Sequence, residues 1–149
     1  VGKRLTGERT PDYGPKRLHP TAGATIMGVR DPLIAFNLNL QPPDPAIAQQ
    51  IARRIRRERE QNPALRGVRA LGLWLPSRQA AQVALNLTQT EQTDLFRVAE
   101  TVRAMARALG AEIAETELVG VLSAEDAARA LQSALRLQQL TATQIVPRE

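Results

Sequence analysis

The sequence predicts an α+β fold, a split βαβ sandwich whose antiparallel sheet carries its helices on one face. Three observations point to it. From Leu33 onward, apolar residues recur every second position in some segments and every third or fourth in others, and the segments follow in the order strand, helix, strand, strand, helix, strand. Proline, glycine and capping residues separate them. Two helices are enough to cover one face of a four-stranded sheet and leave the other bare. This is the ferredoxin-like pattern, here with an extra N-terminal strand before it and a C-terminal helix after it.

The opening, from Val1 to about Ala22, is rich in Gly, Pro, Lys and Arg without periodicity and reads as a linker or arm. "GATIMGVR", Gly23 to Arg30, predicts the extra strand. Asp31-Pro32 marks a turn, and "LIAFNLNL", Leu33 to Leu40, predicts the first strand of the motif. Asp44 is placed to cap a helix opened by Pro45, which is predicted to run to about Gln61 with Ile47, Ile51 and Ile55 on its inner stripe. "GVRALGLWL" and "QAAQVALNL", joined at Pro76-Ser77, predict two strands, with Leu71, Leu73 and Leu75 and then Val83, Leu85 and Leu87 alternating. Thr90 or Thr93 starts a helix with the stripe Leu95, Val98, Ala99, Val102, Ala106 and Leu109, closed by Gly110. "AEIAETELVGVL" is the last strand. Ser123, with Asp126 three residues on, caps a final helix reaching about Leu137, before a loosely attached tail.

At 149 residues the chain suits one domain, and an apolar share of 43% with 23% charged residues is that of a globular protein. No apolar run approaches membrane-spanning length, and no signal-peptide pattern opens the chain. The absence of cysteine excludes disulfides, zinc–thiolate sites and a cysteine nucleophile, and it accords with a cytoplasmic location. The net charge of +5 rests on arginine, much of it in "ARRIRRERE", Ala52 to Glu60. With four aromatic residues in the chain, this reads as the solvated face of an amphipathic helix rather than a nucleic-acid surface. No catalytic triad, metal cluster, phosphate loop or nucleotide fingerprint occurs.

The first strand poses the functional question. Ile34, Phe36, Leu38 and Leu40 suit the helix-covered face, whereas Ala35, Asn37 and Asn39 fall on the other, and asparagine is depleted in strands. Taking Leu71 and Leu73 as helix-facing, the bare face collects Ala70, Gly72 and Trp74 with Gln82, Ala84 and Asn86. Because the first and third strands of a split βαβ sheet are central neighbours, Asn37 and Asn39 are expected near Gln82 and Asn86. Such a face fits packing against another domain or subunit, a planar heterocycle with amide edges, or open solvent, and the first two can hold together. If Asn37 and Asn39 line such a pocket, their amide bonds are expected to be satisfied only with ligand or partner in place; if they are structural, the fold itself depends on them.

"PDYGPKRLHPTAGATIMGVRDPLIAFNLNL", "GVRALGLWLPSRQAAQVALNL" and "ELVGVL" together resemble the C-terminal subdomain of glutamate formimidoyltransferase, also found in formimidoyltransferase-cyclodeaminase. The resemblance runs from Pro11 to about Leu135. It implies residues 1–10 as a linker, 11–137 as the subdomain and 138–149 as a tail. It further implies transfer of the formimino group of N-formimino-L-glutamate to N5 of tetrahydrofolate, as co-substrate, in histidine degradation. In that family two ferredoxin-like subdomains meet face to face around the folate. The family's folate-binding segment matches "GPKRLHPTAG" and so implies Gly14, Pro15, Lys16, Arg17, Leu18, His19, Pro20, Thr21, Ala22 and Gly23, with Asn37 and Asn39 on the sheet. Arg30 is a candidate partner for a substrate carboxylate.

The family's catalytic histidine belongs to an N-terminal subdomain that this sequence does not contain. His19, the single histidine, does not match it, so no catalytic residue is assigned and the isolated chain is expected to be inactive. The expected partners are that missing subdomain, a small-molecule folate and a second copy of the chain, with neither nucleic acid nor membrane. The alternative is a non-catalytic interaction domain that keeps the fold without the folate.

Overall fold

A computed structural model describes residues 12–15, 17, 19–29 and 31–146. The chain divides into two units, Val1–Arg30 and Asp31–Glu149. The second contains β1 (Ile34–Gln41), α1 (Pro45–Glu58), β2 (Val68–Leu75), β3 (Ala80–Leu87), α2 (Leu95–Ala108), β4 (Glu112–Val119) and α3 (Ala124–Leu135), with short 3₁₀ turns between some of them. The four strands form one antiparallel sheet in the order β2-β3-β1-β4, which is the ferredoxin-like order. β1 and β3 are the central pair, with Asn39 opposite Gln82 and Ala35 opposite Asn86.

The helix-covered face follows the apolar alternation of the central strands. Ile34, Phe36, Leu38 and Leu40 from β1 join Val83, Leu85 and Leu87 from β3, all buried, beneath Ile51 and Ile55 of α1 and Val98 and Val102 of α2. Local signals set the helix starts. The Asp44 carboxylate accepts the Ala46 N–H at 2.7 Å with Pro45 in the first helical turn, and the Ser123 hydroxyl accepts the Asp126 N–H at 3.0 Å. α3 packs on α2, where the Ser133 hydroxyl donates to Asp94 at 2.5 Å and Arg129 donates to the Thr90 carbonyl at 3.1 Å.

Four expectations are corrected. Residues 24–29 form no strand, and Ile26, Met27 and Val29 are almost wholly exposed; among the described residues these six pair with no other strand, the isolated bridge His19 to Gly23 falling before them, and a strand needs a partner along its length to satisfy its backbone. α1 ends at Glu58, after which Arg59–Gln61 turn. α2 is capped by Asp94, which accepts the Arg97 N–H at 3.1 Å, not by Thr90 or Thr93; Thr93 is buried and its hydroxyl donates to the Arg66 carbonyl.

The fourth correction matters most. On β2 the faces are exchanged: Val68, Ala70, Gly72 and Trp74 share the helix side with Leu87, Leu85, Val83 and Ala81, whereas Leu71 and Leu73 lie on the bare face, 60% and 36% exposed. The cause is how closely α1 lies on β2. A Cβ at Gly72 would sit 2.3 Å from the Gln49 backbone nitrogen, and the helix meets the strand through the fully buried Ala48 and Ala52. Where helix and strand backbones nearly touch, small residues belong beneath the helix, and the leucines are displaced to the other side.

Candidate functional site

Down the bare face the central strands present Asn37 and Asn39 of β1 and Gln82 of β3, as the alternation predicts. The register then adds what the alternation did not: Glu117 of β4 stands opposite Asn37, and Glu115 opposite Asn39. A bulge in β4 follows at once, since Leu40 pairs with Ile113 and Ala114 is left over. Arg78 leaves the 3₁₀ turn Pro76–Arg78 between β2 and β3 and spans both carboxylates, donating at 2.6 Å to Glu117 and at 2.6 Å to Glu115.

These six side chains form one network. The Asn39 amide donates to Glu115 at 2.8 Å, and its carbonyl accepts from Gln82 at 2.9 Å. Gln82 also donates to Glu117 at 3.4 Å, and Asn37 donates to Glu117 at 3.5 Å. Asn39 and Gln82 are each 4% exposed, and no buried side-chain polar atom is without a partner among the described residues. The amides therefore do not wait for a ligand to complete their bonds, contrary to the expectation from sequence. Asn37 is only half-buried, and its carbonyl has no partner among the described residues.

The hydrogen bond from Arg78, then that from Asn37, holds the Glu117 carboxyl below its usual range. Reciprocally, the bond to Glu117 and its negative charge push the Arg78 guanidinium up. Glu117 is thus an anion at neutral pH, an acceptor rather than a general acid. Arg78 and Glu117 keep 42% and 39% of their side-chain surface open. The face consequently has two halves: a charged, hydrogen-bonded half over β1 and β4, and an apolar half where Leu71 and Leu73 flank Ala84.

The remaining predicted residues belong to the first unit. Gly14, Pro15, Arg17 and His19 to Gly23 are exposed there, with Gly14 and Gly23 at positive φ, 86° and 71°. His19 closes a tight turn. Its backbone exchanges hydrogen bonds with Gly23 at 3.2 and 3.0 Å, and its Nδ1 accepts the Ala22 N–H at 3.1 Å and the Thr21 N–H at 3.4 Å. That use of Nδ1 as an acceptor is a structural role for the ring in this turn. Lys16, Leu18 and Arg30 lie outside the described residues. No three metal-ligating side chains come together among the described residues.

Sequence reasoning missed Glu115, Glu117 and Arg78. The alternation Glu115, Glu117 within "AEIAETELV" was the available signal, but only the β1–β4 register turns it toward Asn37 and Asn39.

A four-stranded antiparallel sheet in split βαβ order, with one face under helices and the other bare, defines an α+β sandwich domain of the ferredoxin-like class. The chain belongs to the formiminotransferase domain family, whose model matches residues 35–144. It is 37% identical over 123 residues to glutamate formimidoyltransferase of Streptococcus pyogenes serotype M1, an alignment covering 83% of this chain and 40% of that protein. It is 37% identical over 112 residues to the glutamate formimidoyltransferase of Thermoplasma acidophilum, covering 75% and 36%. Formimidoyltransferase-cyclodeaminase of Rattus norvegicus is 37% identical over 123 residues, covering 80% and 23%. The chain thus spans two fifths or less of the length of these relatives. No helix among the described residues is long and apolar enough to cross a membrane.

Proposed function

We propose that this chain provides the tetrahydrofolate-facing wall of a glutamate formimidoyltransferase, completed by a second formiminotransferase subdomain that carries the family's catalytic histidine. The reaction would move the formimino group of N-formimino-L-glutamate to N5 of tetrahydrofolate, in the cytoplasm, as part of histidine degradation. The observation that carries the reading is the preorganised network of Asn37, Asn39, Gln82, Glu115, Glu117 and Arg78. Its dipoles are locked before any ligand arrives, so a ligand meets donors and acceptors at fixed positions without a reorganisation cost. In this reading Asn37, with its free carbonyl, and the open side of Arg78 touch the ligand, whereas Asn39 and Gln82 hold them in place. By the family resemblance, the segment Gly14 to Gly23 would also bind folate, and Arg30 would meet a substrate carboxylate.

Leu71 and Leu73 suit a protein partner, since exposed leucines of this kind mark contact surfaces. They accommodate the second subdomain or a second copy of the chain, and they also favour the rival reading of an interaction domain without folate. A calorimetric titration of folinic acid into this chain combined with a formiminotransferase N-terminal subdomain separates the two. The proposal expects saturable binding that Asn37→Leu weakens by about 5- to 150-fold, equivalent to leaving a buried polar partner unpaired. Binding that is absent from the complex, or unaltered by the substitution, would refute it.

A further inference from the structure

A second feature stands at the opposite end of the sheet from Arg78. Where α1 ends, β2 begins and β3 ends, a cavity of about 250 Å³ is lined by Arg59, Arg66 and Arg69 together with Glu60, Gly67, Thr88 and Gln89. Its nearest approach to the polar network runs along β3, and the five steps from Gln82 to Leu87 measure roughly 17 Å of strand. The two are separate sites.

Three positive side chains and one negative one give the lining a surplus of two positive charges. The single carboxylate is already spoken for, since Glu60 accepts from Arg59 at 3.1 Å and is 80% exposed. Arg59 sits at the α1 C-terminus, where a cation complements the helix dipole. That account does not extend to Arg66 and Arg69, which lie outside the helices and have no carboxylate partner among the described residues. Both are carried on anchored backbone. The Arg66 carbonyl takes the Thr93 hydroxyl, and the neighbouring Leu65 and Val68 are fully buried. Gly67 lies between them at φ 72°, and a Cβ there would come within 2.8 Å of the Gln89 Cβ, so Gly67 and Gln89 are closely packed at the cavity. The Gln89 side-chain amide has no hydrogen-bond partner among the described residues and adds a neutral donor at the rim.

We infer that this cavity is a binding site for a small oxyanion, a phosphate or carboxylate group held by Arg66 and Arg69 with Arg59 behind them. An arginine fork presents paired N–H donors that match such an anion, and here Arg66 and Arg69 line one hollow whose single carboxylate, Glu60, is paired with Arg59. The volume is below the ~300–1,000 Å³ of sites for drug-sized ligands, which limits the occupant to a small anion or the charged end of a larger one.

The inference is independent of the folate reading and is tested on the chain itself by thermal denaturation. One arm uses inorganic phosphate and the other glutarate, each against sodium chloride at matched ionic strength. At about ten times its dissociation constant, a bound anion should raise the melting temperature by about 3–6 °C over the chloride control. Stabilisation by phosphate alone assigns a phosphate group, and stabilisation by glutarate alone a carboxylate. The double variant Arg66→Gln/Arg69→Gln should melt no lower than the parent in chloride and should lose the anion response. Amide NMR gives a second reading, with saturable shifts at Gly67 and Gln89 in the parent only. No shift over chloride in either arm, or a response that survives in the double variant, overturns the site.

Discussion

Replacing Asn39 with leucine tests whether the amides of the bare face are held as the structure describes. The side chain is 4% exposed and makes two good bonds, donating to Glu115 at 2.8 Å and accepting from Gln82 at 2.9 Å. Glu115 retains Arg78 at 2.6 Å, so its loss is small. Gln82, itself 4% exposed, is left with only the 3.4 Å bond to Glu117. The dominant cost is therefore one buried amide donor deprived of its acceptor, roughly 1–3 kcal/mol. For a domain of this size that lowers the melting temperature by about 2–12 °C. Urea denaturation of Asn39→Leu, Gln82→Leu and the double variant provides the assay. The two residues face each other across β1 and β3. Removing both leaves an apolar pair with nothing unsatisfied, so the double variant should be less destabilised than the sum of the singles by about 0.5–3 kcal/mol. A single variant within about 0.5 kcal/mol of the parent, or strict additivity, would refute the reasoning.

Further expectations concern charge, packing and activity. Because Arg78 and Asn37 depress the folded-state value of Glu117, its contribution to stability is present above the unfolded carboxylate range near ~4.3 and is lost as pH falls through the lower folded value. Urea midpoints followed from neutral to acid pH should show that loss in the parent and a weaker one in Arg78→Ala; identical profiles would contradict it. Gly72→Ala should cost at least the upper part of the ~1–3 kcal/mol range for overpacking, because its Cβ meets the α1 backbone, and a melt close to the parent's would contradict the close approach. The isolated chain should show no formimidoyltransferase turnover, and turnover abolished by His19→Ala would give that histidine a catalytic role instead.

Much of the fold is written in the sequence because it depends on local chemistry. The alternation of Ile34, Phe36, Leu38 and Leu40, the four-residue spacing of Ile47, Ile51 and Ile55, and the caps at Asp44 and Ser123 act within a few residues of themselves, and they place the elements and the buried side of β1 and β3. Asn37 and Asn39 stand out in the sequence for the same reason, as amides on a strand's second face. β2 was misread because its choice of face is not local: bulk alone puts Leu71 and Leu73 inward, but α1 lies so close that only Ala70 and Gly72 fit beneath it. Nor could the sequence say what the asparagines meet. Their partners Glu115 and Glu117 lie 76 and 80 residues away, and Arg78 comes from a turn whose direction depends on the hairpin it closes. Side-chain periodicity is a property of one strand, whereas a hydrogen-bonded network needs the register of three strands, and that is decided only when the sheet assembles over its core.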